Sequence, residues 1–391
     1  MATTAVQLLQ EHGGDLAGGL IVGPADGASP DPALAYLRGD HPEPGSGSQA
    51  AAAALETVTT QVAAGHEVWV LLSGGTTSLI GAPEPGLTPN ELAKIYSLLL
   101  GSGLDIAAMN RIRKRFSRWG GGKLARALAP ARVRGYIVSD VIGDDLAAIG
   151  SGPCAPDPTT ASEVRLLLER SGLWPRIPGA ARRMVTAVES GKNPETPKPG
   201  DPVFDRVSLE LIASNRLALE AAAQRASELG LIPTVNESPV AGEASRAGAA
   251  LADSLLHNCA RPGNSQPNSG AAANCFIWGG ETTVTLGESS GGSGGRCQEL
   301  ALAAARVLQG GPDGMALLAA GTDGRDGPTD AAGAVVDATT WRAITAAGRN
   351  PARDLASHNA YAALDSVGAL LKPGLTETNV MDVMIGLCPR R

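Results

Sequence analysis

The chain has few aromatic residues: 3% of its 391 positions are Phe, Trp or Tyr. Its cores must therefore be built mainly from Ala, Val, Leu and Ile. Lysine is also scarce. Of 32 basic residues six are lysines (Lys94, Lys114, Lys123, Lys192, Lys198 and Lys372) and the rest are arginine. Net charge is −7, pI is near 5.4 and no basic run stands out beyond Arg111–Arg118, which argues against a nucleic-acid footprint. The five cysteines (154, 259, 275, 297 and 388) are scattered without a CxxC pair. That spacing suits reduced cytosolic thiols better than disulfides or a zinc site. Met1–Gly19 lacks a basic n-region followed by an apolar h-region, and no run approaches a membrane span. A soluble cytoplasmic protein is expected.

Several signatures are missing too. GxxxxGK[ST], GxGxxG, GxSxG and HExxH do not occur. Gly120-Gly-Gly-Lys123 comes nearest to a Walker loop, but its upstream glycine is missing and Leu124 follows the lysine. Gly292-Ser-Gly294 fails as a dinucleotide fingerprint because Cys297 takes the third glycine's place. The five histidines are isolated, and His41 and His358 are expected to be structural.

What is present is an α/β pattern, in which short apolar runs alternate with Ala/Leu-rich helical stretches. Strands are expected at 19–22, 67–72, 134–138, 208–212, 274–278, 282–286 and 315–320. Helices are expected at 48–65, 90–102, 162–171, 215–228, 242–256, 299–308 and 338–348. Asn215 looks like an N-cap and Gly230 closes the same helix. The Pro-rich 191–202 stretch reads as an exposed excursion, and the polar Gly/Pro/Ser-rich 261–274 stretch as a linker or variable loop. This divides the chain into an N-terminal domain over 1–260, the linker over 261–274, and a C-terminal domain over 275–391.

Five segments could carry chemistry. Gly321-Thr-Asp-Gly-Arg-Asp-Gly-Pro-Thr-Asp330 crowds Asp323, Asp326 and Asp330 beyond a strand, either as an acidic site or as a solvated Asp-Gly turn. Leu71-Leu-Ser-Gly-Gly-Thr-Thr-Ser78 is a strand and glycine turn that could cradle phosphate, or an ordinary strand exit. Met109-Asn-Arg-Ile-Arg-Lys-Arg115 is an anion-binding cluster or a solvated basic face. Ser139–Asp145 and Gly150–Thr160 follow a strand with three acids and a rigid Pro/Gly loop. Gly291–Arg296 opens a helix whose free N–H groups could meet an anion, with Arg296 adding charge.

Taken together, these segments resemble the glycerate 2-kinase family with a C-terminal MOFRL domain, a group long labelled hydroxypyruvate reductase. LLSGGTTSLIGAP, NRIRKRFSRWGGGKLA, SDVIGDDLAAIGSGPCAPDPTT, SNRLALEAA, WGGETTVTLG, GGRCQELALAAA, GTDGRDGPTDAAGAVVD and TNVMDVMIGL carry the resemblance in order along nearly the whole chain. It implies a Rossmann-like three-layer N-terminal domain, a smaller α/β MOFRL domain and an active site in the cleft between them. It implies ATP- and Mg²⁺-dependent phosphorylation of the 2-hydroxyl of D-glycerate to 2-phosphoglycerate. Arg296, Lys114 and Asp323 are then the expected catalytic residues. Ser73, Gly74, Gly75, Arg111, Lys123, Gly294, Gly295 and Asp326 would bind substrate or nucleotide, and Asp140 and Asp323 the metal. The expected partners are D-glycerate and a nucleotide, with neither nucleic acid nor membrane, and a homodimer is the candidate assembly.

The sequence departs from the family pattern at three places. Met1 aligns just past a Gly-Lys-Ala turn that normally carries a functional lysine. A second usual lysine falls on Gly120, and Gly45 stands where the family commonly has Asp. The alternatives to a working kinase are therefore a nicotinamide-dependent hydroxypyruvate reductase and a member left inactive by the two missing lysines.

Overall fold

A computed structural model describes residues 1–260, 273–287 and 291–389. Residues 261–272 of the expected linker lie outside them. The chain forms two compact units, Met1–Val138 with Asp144–Ile212, and Ser139–Gly143 with Ala213–Arg391. The second unit takes in more than the 275–391 segment, because strands from before the linker complete its sheet. Ile232–Val235 and Val240–Glu243 both pair in parallel with Ala273–Thr283, satisfying its backbone groups.

In the first unit Glu67–Leu72 runs parallel to Arg132–Val138 with Leu72 opposite Ile137, and Val207–Ala213 flanks the latter. All three follow the sequence expectation to within two residues. A separate parallel pair joins Gly19–Gly23 to Leu34–Arg38, whose second strand the pattern did not reveal. Helices Pro89–Leu100, Ile106–Phe116, Ala161–Arg170 and Gly179–Glu189 pool Ile95, Leu99, Ile112, Phe116, Val164 and Leu168 in one core. Two of these helices begin with capping boxes, Thr88 with Glu91 and Thr160 with Glu163. The 191–202 excursion is not wholly exposed, as Thr196 and Pro197 are buried. Glu195 beside them meets Arg115 at 2.6 Å, and a guanidinium that is 3% exposed requires such a counter-charge.

The second unit holds a seven-stranded mixed sheet. Its strands run in the order Leu370–Leu371, Gly333–Asp337, Ala316–Gly321, Asp382–Pro389 and Ala273–Thr283, the last receiving both Ile232–Val235 and Val240–Glu243. The two strands expected at 274–278 and 282–286 are one strand. Gly279 and Gly280 stay in register with Val383 and Asp382 instead of turning a corner. Against the sheet lies Arg296–Leu308, in which ten of thirteen residues are buried. A helix apolar nearly all round must be central, and the small side chains Ala301 and Ala303–Ala305 let its neighbours close on it. Ala244–Ala260 crosses it where Gly248 faces the Leu300 carbonyl, leaving no room for a β-carbon. This packing is how a chain poor in aromatics fills its core.

Helix Asn215–Glu228 has the expected bounds, but its cap is Ser214, whose hydroxyl accepts from the Leu217 amide. Asn215 reaches elsewhere, donating to the carbonyls of Val380 at 2.8 Å and Asp382 at 3.0 Å.

The expectation of five reduced thiols is also corrected. Cys259, near the end of Ala244–Ala260, and Cys388, in Asp382–Pro389, form a disulfide across 129 residues, with Cα atoms 5.7 Å apart. Linear spacing could not reveal a pair that tertiary packing brings within bonding range. Cys154, Cys275 and Cys297 are free and buried. Thiol titration of the unreduced, unfolded chain should therefore find three reactive groups, rising to five after reduction; five without reductant would exclude the bridge.

Candidate active site

In the first unit the parallel strand Glu67–Leu72 delivers Ser73-Gly74-Gly75 at its carboxyl end, where ligands collect in open α/β sheets. Gly75 adopts φ +80° and begins the short helix Thr76–Leu79. Neighbouring loops are tied to this turn. Thr77 and Ser151 share a hydrogen bond of 2.9 Å, while the Gly121 and Gly122 amides donate to the Ser151 and Gly152 carbonyls at 2.8 Å. Gly150, Ser151 and Gly152 are three consecutive left-handed residues (φ +56°, +65° and +58°), a strained backbone of the kind that clusters at functional sites.

The basic motif separates by role. Arg115 is committed to Glu195 and to the Thr159 carbonyl. Arg113 stacks on Tyr96 with its Cζ 5.2 Å from the ring centre. Lys123, expected to neutralise an anion, spends its ammonium on Glu84 and on the carbonyls of Arg115 and Ser117. Arg111 is exposed. Lys114 differs from all of these: it is 4% exposed, yet among the described residues its ammonium has neither a hydrogen bond nor an ion pair. Burial pushes its pKa down, opposed by the fields of Asp157 and Asp145.

Two departures from the family pattern find local explanations. A β-carbon on Gly45 would stand 2.7 Å from Asp40 Oδ2, and that oxygen accepts from the Ser48 amide at the start of the helix Ser46–Gln61. The carboxylate in that space is thus Asp40's. A β-carbon on Gly120 would lie 3.3 Å from Ser151 and 3.5 Å from the Lys114 backbone, so this glycine lets the two loops approach. His41, set aside by sequence reasoning, has its ring against Gly75, 3.0 Å from where a β-carbon would be.

In the second unit the ends of three adjacent strands line up. Asp382 begins its strand opposite Gly280 on one side and Gly321 on the other. Glu281 follows Gly280, and Thr322-Asp323 follow Gly321. Arg296, the first residue of its helix, lays its guanidinium across this row. Its Nε and Nη2 donate to the wholly buried Asp382 carboxylate at 2.6 and 2.8 Å, and Nη1 is 2.8 Å from Glu281. Burial works against the charge of Arg296, but the hydrogen bond and fields of Asp382 and Glu281 hold its pKa above the ordinary value. Burial raises the Glu281 pKa; Arg296 opposes this, while Asp382, Asp140 and Asp323 add to it. Asp140, Asp323, Glu281 and Asp382 thus share one electrostatic neighbourhood within this unit. Glu281 and Asp382 were quoted in motifs but given no role, since neither has a local signature.

The helix N-terminus behind Arg296 does not await a ligand anion, because Asp326 already fills it. Its carboxylate accepts from the amides of Cys297 (3.2 Å) and Gln298 (2.8 Å). Gly295 is required because a β-carbon there would overlap the Asp326 carboxyl group, and Gly294 offers its carbonyl where Gly327 packs. Gly294, Gly295 and Asp326 therefore hold the loop and helix together. Asp323, half-buried, accepts from the Arg325 amide at 3.0 Å. Asp330 lies outside the row, on Tyr361 and Lys372.

The fold and these groups define a two-unit α/β protein of the phosphoryl-handling kind. One unit offers a buried lysine side chain whose ammonium is unpaired among the described residues, beside glycine turns, and the other a guanidinium set among carboxylates. Residues 1–186 match the family described as Domain of unknown function (DUF4147), and residues 274–382 the MOFRL family. A glycerate 2-kinase of Pyrococcus horikoshii is 37% identical over 90% of this chain and 78% of its own. A D-glycerate 2-kinase of Thermotoga maritima is 36% identical over 89% and 78%. The crystal structure of glycerate kinase from Thermotoga maritima superposes with a TM-score of 0.86 at 34% identity, covering 99% of this chain and 88% of that one. The chain belongs to the glycerate 2-kinase family.

The capping carboxylate gives a pH signature. Burial, outweighing the two amide hydrogen bonds, raises the Asp326 pKa to about 6. An acid with a raised folded pKa contributes stability that is full below its unfolded pKa, near 3.8, and is lost as pH rises through about 6. Relative to Asp326→Asn, the wild-type chain should lose on the order of 3 kcal/mol between pH 4 and pH 7 in urea unfolding. Parallel profiles for the two proteins would show that Asp326 does not titrate in this way.

Proposed function

We propose that this chain is a glycerate 2-kinase that transfers the γ-phosphoryl group of ATP to the 2-hydroxyl of D-glycerate, yielding 2-phosphoglycerate. The observation that carries the reading is Lys114. Its side chain is buried, and its ammonium, which keeps access to solvent, makes no hydrogen bond or ion pair among the described residues; an anionic ligand would complete it. A nucleotide phosphate is such a ligand.

Phosphoryl transfer asks for positioning and charge stabilisation more than for covalent chemistry. Lys114 supplies positive charge to the phosphoryl oxygens from a partly desolvated position, where the interaction is stronger than in open water. The Ser73–Gly75 turn supplies a close backbone approach. Arg296 supplies a guanidinium whose orientation is fixed before substrate arrives.

Asp140 and Asp323 suit Mg²⁺. They are hard oxygen donors, and Mg²⁺ commonly takes one or two carboxylates with substrate phosphates and water completing its shell. Among the described residues no group of three His, Cys, Asp or Glu side chains is placed to hold a metal. These residues would therefore hold the ion together with the nucleotide, and the metal would draw charge from the phosphates.

Incubation with D-glycerate, ATP and Mg²⁺ should give 2-phosphoglycerate by ³¹P NMR. Formation of the 3-phosphate, or NADH consumption with hydroxypyruvate in a parallel assay, would overturn the reading. Lys114→Met tests its basis in two opposite directions. Thermal stability without ligand should rise modestly, because a partly desolvated charge that makes no hydrogen bond is removed. Phosphorylation should fall on the order of 10²–10³-fold. A variant that is both less stable and fully active would return Lys114 to a structural role.

A further inference from the structure

We propose that Asp382 is a positioning residue for phosphoryl transfer, acting through Arg296; the inference rests on the kinase reading above. Three observations carry it. First, the geometry is a side-on pair in which both Asp382 oxygens are used, one by Nε at 2.6 Å and one by Nη2 at 2.8 Å. A guanidinium has five N–H donors in a fixed fork. Two go to Asp382, and Nη1 forms an ion pair with Glu281 at 2.8 Å. That leaves donors on both Nη1 and Nη2 without a hydrogen bond among the described residues, on a side chain still 33% exposed. Two adjacent donors match two oxygens of a phosphoryl or carboxylate group.

Second, Asp382 cannot move. Its carboxylate is wholly buried, and its strand is hydrogen-bonded on both sides, opposite Gly280 and Gly321. The Asn215 side chain clamps its carbonyl at 3.0 Å. The preceding Met381 is held left-handed at φ +68°, its carbonyl accepting from both the amide and the hydroxyl of Thr322 at 3.0 and 2.6 Å. Third, the flanking Gly321 keeps the row uncrowded. A β-carbon on Gly321 would lie 3.6 Å from Asp382 Oδ1 and 3.1 Å from Asp323 Oδ1, so larger side chains there would crowd both carboxylates. A buried carboxylate clamped at the backbone and joined to a half-exposed guanidinium by two parallel bonds fixes an orientation, and orientation is what phosphoryl transfer requires.

The decisive experiment is a double-mutant cycle of Asp382→Asn and Arg296→Lys, with kcat and KM measured for D-glycerate and ATP. Asp382→Asn should lower kcat by about 10²-fold and KM by much less, because the amide turns an N–H₂ toward the guanidinium. In the Arg296→Lys background the same change should cost little, since residues that act as a unit are not additive. An equal loss in both backgrounds would mean that Asp382 supports the fold and not Arg296, overturning the proposal. The wild-type protein supplies a test that needs no variant: Arg296 Nε–H should appear as a slowly exchanging resonance in ¹⁵N NMR. A rotationally averaged guanidinium would overturn the positioning role even if turnover is normal. Absence of wild-type turnover would count against the kinase reading instead, leaving the NMR result to judge Asp382.

Discussion

The second unit is organised around one constraint, that the wholly buried carboxylate of Asp382 must be neutralised in place. Arg296 does this from the first turn of the most buried helix in the unit, so the charge pair ties helix to sheet. The requirement spreads outward. The carboxylates beside it need room, which Gly321 leaves by having no side chain, while Gly280 admits the close approach of the Val240 backbone. The helix needs an anion at its start, which Asp326 provides in turn, and Gly295 must lack a β-carbon to admit it. Apart from Gly291, which faces open space, each glycine in the GGSGGR and GTDGRDG stretches that looked like a ligand loop has a close neighbour.

The first unit shows the opposite arrangement. Its buried cations are compensated one by one, Arg115 by Glu195 and Lys123 by Glu84, and Lys114 is the exception. Partnered cations stabilise a fold; an unpartnered one constrains what the fold can bind. A basic run in the sequence thus divides by burial and pairing into side chains that hold the unit together, the exposed Arg111, and Lys114, which is buried without a hydrogen bond or ion pair among the described residues. Gly120 fits this division, since that position closes one loop on another and its neighbour Lys114 carries the unpaired charge.

Much of the architecture was legible. Strand Glu67–Leu72 and helix Asn215–Glu228 have the bounds that their patterns imply, because apolar periodicity and caps are local properties. The error at Gly279-Gly280 is instructive. Two glycines look like a corner, but neighbours on both sides hold this pair extended in the sheet. Val240–Glu243 and Asp382–Pro389 escaped notice because their strand character comes from the partners they pair with. In the site, Arg296 was visible through its glycine loop and its family resemblance. Asp382 was not, since a lone Asp before an apolar run has no signature until the sheet sets it beneath a guanidinium.

The sequence by itself determined the α/β class and the family, because those rest on local pattern and on motifs kept in order. It also determined which residue types could do the chemistry. Tertiary structure decided which of them are free to do it. Whether a carboxylate caps a helix, as Asp326 does, anchors an arginine, as Asp382 does, or stands half-open, as Asp323 does, depends on what lies within hydrogen-bonding distance. Those distances are set by strands and helices up to 167 residues apart in the chain, as between Asn215 and Asp382. Spacing along a sequence cannot encode them, because burial and pairing are properties of the folded neighbourhood.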